Sequence, residues 1–247
     1  MTSLAPRCLA TVATIALAAA GFASAQSVTE ARIPLFSLAA AGGSLPRGWA
    51  PLTFKGVPPS RYSLVRDGDT VVVEAEANAS ASGLAVRLDI PLGDARVLRW
   101  RWKAERLPGA TDTTQRATDD AVARVYVTFR EPPGQGSATR RLQDWMSSTL
   151  YGEAPPHATL LYVWDNRSRV GASFPNPHTD RVRNIVVESG NARLSQWLAY
   201  ERDLVADYRA AFGEAPLRVS GVAIMTDADN TGGRAAASYG DITLGAR

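Results

Sequence analysis

Beyond residue 60 the chain is dominated by strict alternation of apolar and polar residues. "GLAVRLDI" sets Leu84, Val86, Leu88 and Ile90 on one side. "ARVLRWRWKAE" sets Leu98, Trp100 and Trp102 against Arg99, Arg101 and Lys103. "AVARVYVTF" sets Ala123, Val125, Val127 and Phe129 against Arg124, Tyr126 and Thr128. A strand turns successive side chains to opposite faces, so each run predicts a strand with one buried and one polar face. "YSLVRDGDTVVVEAEA" reads as two strands about Asp67-Gly68, a hairpin signal. "ATLLYVW", "RNIVVESG", "RVSGVAIMTD" and "ASYGDITL" are four further strands. Helical spacing is confined to "TRRLQDWMSSTLYG" and "RDLVADYRAAFG"; the second spaces Leu204, Val205, Tyr208 and Phe212 at helical intervals and ends in Gly213, a C-cap signal. The Gly- and Pro-rich stretch 42–60 reads as an irregular lead-in strand. Eight or more short strands predict a mainly β protein: an antiparallel β-sandwich of jelly-roll type with one or two short helices. Its long polar connections, 105–118 and 131–138, are where such folds tend to carry function.

The first residues follow a different pattern. Arg7, the uncharged stretch "LATVATIALAAAGFA" and the small residues Ala23-Ser24-Ala25 have the form of a secretory signal, with cleavage expected before Gln26. The stretch is short against the roughly 20 apolar residues of a membrane span. The expected mature protein is therefore one β-sandwich domain, 26–247, periplasmic or secreted and without a membrane span. Its only cysteine, Cys8, leaves with the signal, so neither disulfides nor thiol catalysis are expected. The formal charge of +3 falls to +2 without Arg7, and Lys55 and Lys103 are the only lysines. With export, that balance excludes nucleic acid as an expected partner.

Nucleophilic serine chemistry lacks its motif, since neither "GASFP" nor "GGSLP" has Gly two residues after Ser. His157 and His178 read as exposed loop histidines, and without cysteines or close helical spacing they make no zinc site. Carboxylates are more promising. Asp119-Asp120 precede a strand, where neighbours point to opposite faces, so they either serve a cleft one at a time or cap a loop end. Glu74 and Glu76, with Arg99, Arg101, Lys103 and Arg124, form either a charged ligand-binding face or a solvated outer surface. A two-carboxylate glycosidase needs a separation that sequence does not give.

In "TDADNTGG", Asp227, Asp229 and Thr231 place oxygens at every other residue, and Gly232 permits a sharp turn. That is the first half of an EF-hand loop, but Ser238 stands where its closing Glu belongs, which excludes a dedicated EF-hand. Three readings remain: a ligand cleft, a bare turn, and a looser calcium site at Asp227, Asp229 and Thr231. Gly232 and Gly233 favour the cleft, by letting the backbone approach whatever the acids hold. No other cofactor is expected. Trp164, at the end of a strand beside Asp165 and Asn166, reads as a stacking platform for a sugar ring, whereas Trp100 and Trp102 read as core. The candidate catalytic residues are Asp119, Asp120 and Asp227. The candidate ligand-binding residues are Arg124, Tyr126, Trp164, Asp227, Asp229 and Asn230.

The segments "GWAPLTF", "ASGLAVRLDI", "LRWRWK", "DDAVARVYVTF", "LYVW", "VVESG", "DYRAAFG" and "MTDADNTGG...SYGDITL", in this order, resemble the exported bacterial proteins catalogued as domain of unknown function 3047. The resemblance implies little chemistry; it emphasises Asp119, Asp120, Arg124, Trp164, Asp227, Asp229, Asn230 and Thr231. The ending, with Tyr239-Gly240-Asp241-Ile242, is similar in style to the last strands of carbohydrate-binding jelly rolls, an analogy of fold that transfers no function. The leading expectation is a periplasmic module that binds a glycan or another polar polymer. The alternatives are a polysaccharide hydrolase or lyase using loop carboxylates, and a structural partner of an envelope complex.

Overall fold

The computed structural model describes residues 33–93, 96–130, 157–216 and 218–246. The alternating runs become strands because only a sheet can bury one side of each and leave the other polar. In chain order they are β1 (Trp49–Thr53), β2 (Arg61–Asp67), β3 (Thr70–Asn78), β4 (Ala81–Pro91), β5 (Val97–Arg106) and β6 (Ala123–Phe129), then β7 (Ala158–Asp165), β8 (Ser173–Asn176), β9 (Thr179–Ser189), β10 (Leu198–Asp203), β11 (Arg218–Asp227) and β12 (Arg234–Gly245). A seven-stranded sheet runs β1-β4-β11-β6-β7-β9-β8, and a five-stranded sheet runs β10-β5-β12-β3-β2. Together they form the expected β-sandwich of jelly-roll type. Every pairing is antiparallel except β7 with β9. A parallel pair needs a long connection, and the chain from β7 to β9 supplies it by way of the short edge strand β8.

The inner faces meet in one apolar core. Val125, Val127 and Phe129 of β6 point into it, as do Leu160 and Tyr162 of β7 and Leu98, Trp100 and Trp102 of β5. The rings interlock: Trp100 and Trp102 meet edge-on at 5.6 Å, and Trp100 lies 5.0 Å from Tyr162. Such pairs contribute about 0.5–1.5 kcal/mol each beyond burial. The outer face of the large sheet is apolar as well. Tyr126, Leu161, Val182, Ala223 and Met225 form a second cluster there, with Phe54 and Val57 packed on it.

The expected second helix is α1 (Leu204–Phe212). Asp203 caps it by accepting from the backbone N–H groups of Val205 and Ala206, and Gly213 ends it at φ +75°. Two strands are not foreseen. β10 is a mixed polar edge strand, and β8 contains Pro175, which an edge tolerates. The lead-in stretch contains a regular strand, β1, paired along its whole length with β4. The charged face divides. Arg99, Arg101, Lys103, Glu74 and Glu76 belong to the small sheet, where Arg99 pairs with Glu201 and Lys103 with Asp67. Arg124 belongs to the other sheet, so it cannot join them. The expected signal, the loop 131–138 and the helix at 139–152 lie outside the described residues.

Candidate functional site

β11 and β12 are consecutive in sequence but lie in different sheets. "TDADNTGG" is therefore a crossover at one end of the sandwich rather than a hairpin turn. Asp120 holds it: its carboxylate accepts from the backbone N–H of Asn230 (3.1 Å) and of Thr231 (2.7 Å) and from the Thr231 hydroxyl (2.6 Å). Asn230 donates its side-chain amide to the Arg116 carbonyl at 2.8 Å, tying the crossover to the loop before β6. The two glycines have structural duties, contrary to the sequence reading. Gly232 takes φ +64°, and a Cβ at Gly233 would sit 3.2 Å from the backbone nitrogen of Gly109. Gly233 thus makes room for a neighbouring loop, not for a ligand.

Asp119 and Asp120 diverge as expected, and Asp119 turns toward β6. Arg124, 1 % exposed, is clamped between it and Asp227. The guanidinium donates from Nε to Asp227 Oδ1 (2.9 Å) and from Nη2 to Asp227 Oδ2 (3.0 Å). Nη2 also reaches the Asp119 carbonyl (2.6 Å) and its Oδ1 (3.0 Å). Burial alone would lower the Arg124 pKa, but Asp119 and Asp227 overcome it and hold the pKa well above its usual value. Burial pushes the Asp227 carboxyl up to about 8; Arg124 pulls against this, while Asp120 and Asp119 add to it. Burial also raises half-buried Asp229, helped by Asp120.

Beside this clamp a pocket of about 200 Å³ opens on the outer face of the large sheet. Phe54, Val57, Tyr126 and Met225 line its apolar side, and Asp229, Asn230 and His178 its polar side. Neither histidine is the exposed loop residue the sequence suggests. The His178 side chain is 12 % exposed, with Nε2 3.4 Å from Asp119 Oδ2. His157 is 9 % exposed and lies 3.1 Å from Glu214. Asn176 supports Asp119 from the same side, donating to Oδ2 at 3.4 Å.

Seven candidates therefore converge: Asp119, Asp120, Arg124, Tyr126, Asp227, Asp229 and Asn230. Trp164 does not. Strand alternation places it with Leu160 and Tyr162 in the core, 0 % exposed, 6.4 Å from the Trp102 ring and donating Nε1 to the Gly190 carbonyl. It offers no face to a sugar, and Phe54, half-buried at the pocket wall, is the aromatic in that position. Phe54 was hidden in an irregular Gly/Pro stretch with no periodicity to point it inward or outward.

Carboxylate oxygens of Asp120, Asp227 and Asp229 lie within 4.8 Å of one another. The fit to calcium is poor. The oxygens of Asp120 already accept three hydrogen bonds, Thr231 spends its hydroxyl on Asp120, and both oxygens of Asp227 face Arg124. Calcium takes six to eight oxygens and would stand beside a guanidinium.

Several solved structures overlap loosely with this chain. A family 11 carbohydrate-binding module of the cellulosomal cellulase Lic26A-Cel5E of Clostridium thermocellum overlaps at a TM-score of 0.43 and 8% identity, over 87% of this chain and 95% of the other. The Emp47p carbohydrate recognition domain overlaps at 0.44 and 13%, covering 88% and 96%. The xyloglucanase domain of NopAA from Sinorhizobium fredii, in complex with cellobiose, overlaps at 0.42 and 11%, covering 85% and 99%. These overlaps are too loose to carry a function across. No curated protein matches the chain. The family described as "Protein of unknown function (DUF3047)" matches residues 47–243, a span that starts before β1, ends within β12 and holds every residue of the pocket, and the chain belongs to that family.

Proposed function

We propose that this is an exported protein that binds a glycan or a similar hydroxylated polymer in the pocket beside Phe54. The pocket itself carries the reading. One wall is apolar and aromatic, and the other presents a carboxylate, an amide and an imidazole. A sugar ring needs both: an apolar face to lie against and acceptors and donors for its hydroxyls. At about 200 Å³ the space is below the roughly 300–1,000 Å³ typical of drug-sized ligands, so it suits one ring-sized unit of a longer chain. The signal pattern at 1–25 supports export. Titration calorimetry against a panel of oligosaccharides tests the proposal. Binding lost in Phe54→Ala but kept in Trp164→Phe supports it, and silence across the panel defeats it.

A second reading has one specific observation behind it. His178 faces Asp119 at 3.4 Å, and both line the pocket, an imidazole held by a carboxylate as a general base is held. A hydrolase or lyase would shorten the oligosaccharides that bind, which product analysis would show. Binding without new reducing or unsaturated ends leaves a pure binding module.

A further inference from the structure

The outer face of the small sheet carries a groove of about 450 Å³ across β10, β5 and β12. Arg99, Arg101, Ala199, Glu201, Asp241 and Thr243 line it. Strand pairing sets them side by side: Ala199 lies opposite Arg101, and Glu201 and Thr243 flank Arg99. The cations on either side of Arg101 are neutralised. Arg99 donates to Glu201 at 2.7 Å and to the Ala246 carbonyl at 3.2 Å. Lys103 meets Asp67 at 3.0 Å and Glu105 at 3.1 Å. Arg101 forms no hydrogen bond or ion pair with a described residue; its guanidinium lies over the Trp197 ring, 4.6 Å from the centroid. Its charge helps to lower the Asp67 pKa, behind the Lys103 and Trp197 bonds that come first. The fold nonetheless builds a seat for this side chain. The Trp197 indole N–H donates to Asp67 at 2.9 Å, which fixes the ring. β12 bulges here, setting Gly240 and Asp241 against Arg101 alone. A Cβ at Gly240 would lie 2.6 Å from both Cγ and Nε of Arg101, so the glycine leaves the side chain its path.

We propose that this groove is a second binding site, independent of the pocket beside Phe54, for a sugar chain that bears carboxylates, and that Arg101 pairs with one of them. A half-buried guanidinium held along its stem, with its N–H donors unspent, is a receptor for an oxyanion. Its planar fork matches a carboxylate in two parallel bonds. Glu201 and Asp241 limit the charge that fits, since a dianion such as a phosphate monoester meets more repulsion from them than a carboxylate does. The backbone beneath the groove is consumed by the pairing of β5 with β10 and β12, so an occupant is read by side chains alone. A peptide that binds a sheet draws its affinity from an open edge. A sugar needs only what this face offers: the Arg101 fork, the Thr243 hydroxyl, and the carboxylates of Glu201 and of Asp241, which gives one oxygen to the Ser37 N–H at 3.0 Å.

Calorimetry on the intact chain tests this with three probes: a galacturonate tetramer, the same tetramer with its carboxylates methyl-esterified, and a glutamate tetrapeptide. The free acid should bind at least about tenfold tighter than its ester, as a charge-assisted hydrogen bond would give. Added salt should shrink that ratio. Arg101→Gln should bring the acid down to the level of the ester. Arg101→Lys should keep only part of the difference, since an ammonium has no planar fork. Gly240→Ala, which keeps the charge but pushes the side chain from its seat, should lower the ratio as well. Phe54→Ala, in the pocket of the other sheet, should leave the ratio as it is. Equal binding of acid and ester, no binding of either, or a preference that survives Arg101→Gln overturns the proposal. A preference lost in Phe54→Ala instead moves the acid to the pocket and overturns it too. Tetrapeptide binding as tight as that of the free acid, and dependent on Arg101, overturns the sugar in favour of an acidic protein partner.

Discussion

Replacing Arg124 by Met removes the one guanidinium among three buried carboxyl groups while keeping much of the side-chain volume. Two parallel bonds to Asp227, at 2.9 and 3.0 Å, and two to Asp119, at 2.6 and 3.0 Å, vanish together. Asp227 is 3 % and Asp119 5 % exposed, so water cannot replace the lost donors without opening the end of the sheet. Breaking a buried pair from one side costs about 3–5 kcal/mol, because it strands the Asp119 carboxylate and leaves both oxygens of Asp227 without their guanidinium donors. For a domain of this size each kcal/mol moves the melting temperature by about 2–4 °C, so a fall of roughly 6–20 °C is expected. Urea melts followed by tryptophan fluorescence would read the loss, since Trp100, Trp102 and Trp164 are all buried. Arg124→Lys should recover only part of it, because an ammonium cannot form the two-pronged bond. Arg124→Met combined with Asp227→Leu should be more stable than Arg124→Met alone, since no buried carboxyl is left at Asp227 without the donors it had. A loss below about 1 kcal/mol in the single variant would refute the claim that this clamp holds the site end of the sandwich together.

Three further outcomes follow from the geometry. Asp120→Ala should cost about 2–4 kcal/mol, because three hydrogen bonds to an acid are lost, and amide exchange should accelerate at Asn230 and Thr231 more than in the core strands. Trp164→Ala should cost about 3–5 kcal/mol by emptying a core site, whereas Phe54→Ala should cost less and abolish ligand binding, as melts and calorimetry on the same variants would show. The folded chain holds the Asp227 proton up to about pH 8, while the unfolded chain releases it near pH ~3.9. The folded state therefore binds more protons between those values, and this group's contribution to stability is lost as pH rises through the window. Asp227→Asn should flatten that part of the pH–stability curve, and an unchanged slope would show that Asp227 is ionised throughout.

The local alternation of this chain already contains its sheets. Leu84, Val86, Leu88 and Ile90 face the core because period two leaves no other way to bury them together, and α1 stops at Gly213 because few other residues take its left-handed turn. The same alternation placed Arg124 and Tyr126 opposite Val125 and Val127, which is how the pocket's floor could be read before any fold was known. Alternation says which residues share a face, but not which face ends up covered. Trp164 was therefore open to misreading: its neighbours Asp165 and Asn166 suggest a surface, and only the docking of β5 against β7 buries its ring. Phe54, 65 residues before Asp119, meets the acids only because β1 pairs with β4, β4 with β11, and β11 with β6. Likewise "TDADNTGG" has the same letters as a hairpin turn, and it becomes the wall of a pocket because β11 and β12 go to different sheets. Those partnerships are made between strands far apart in sequence, where burial of the whole sandwich, not any local preference, selects the pairing.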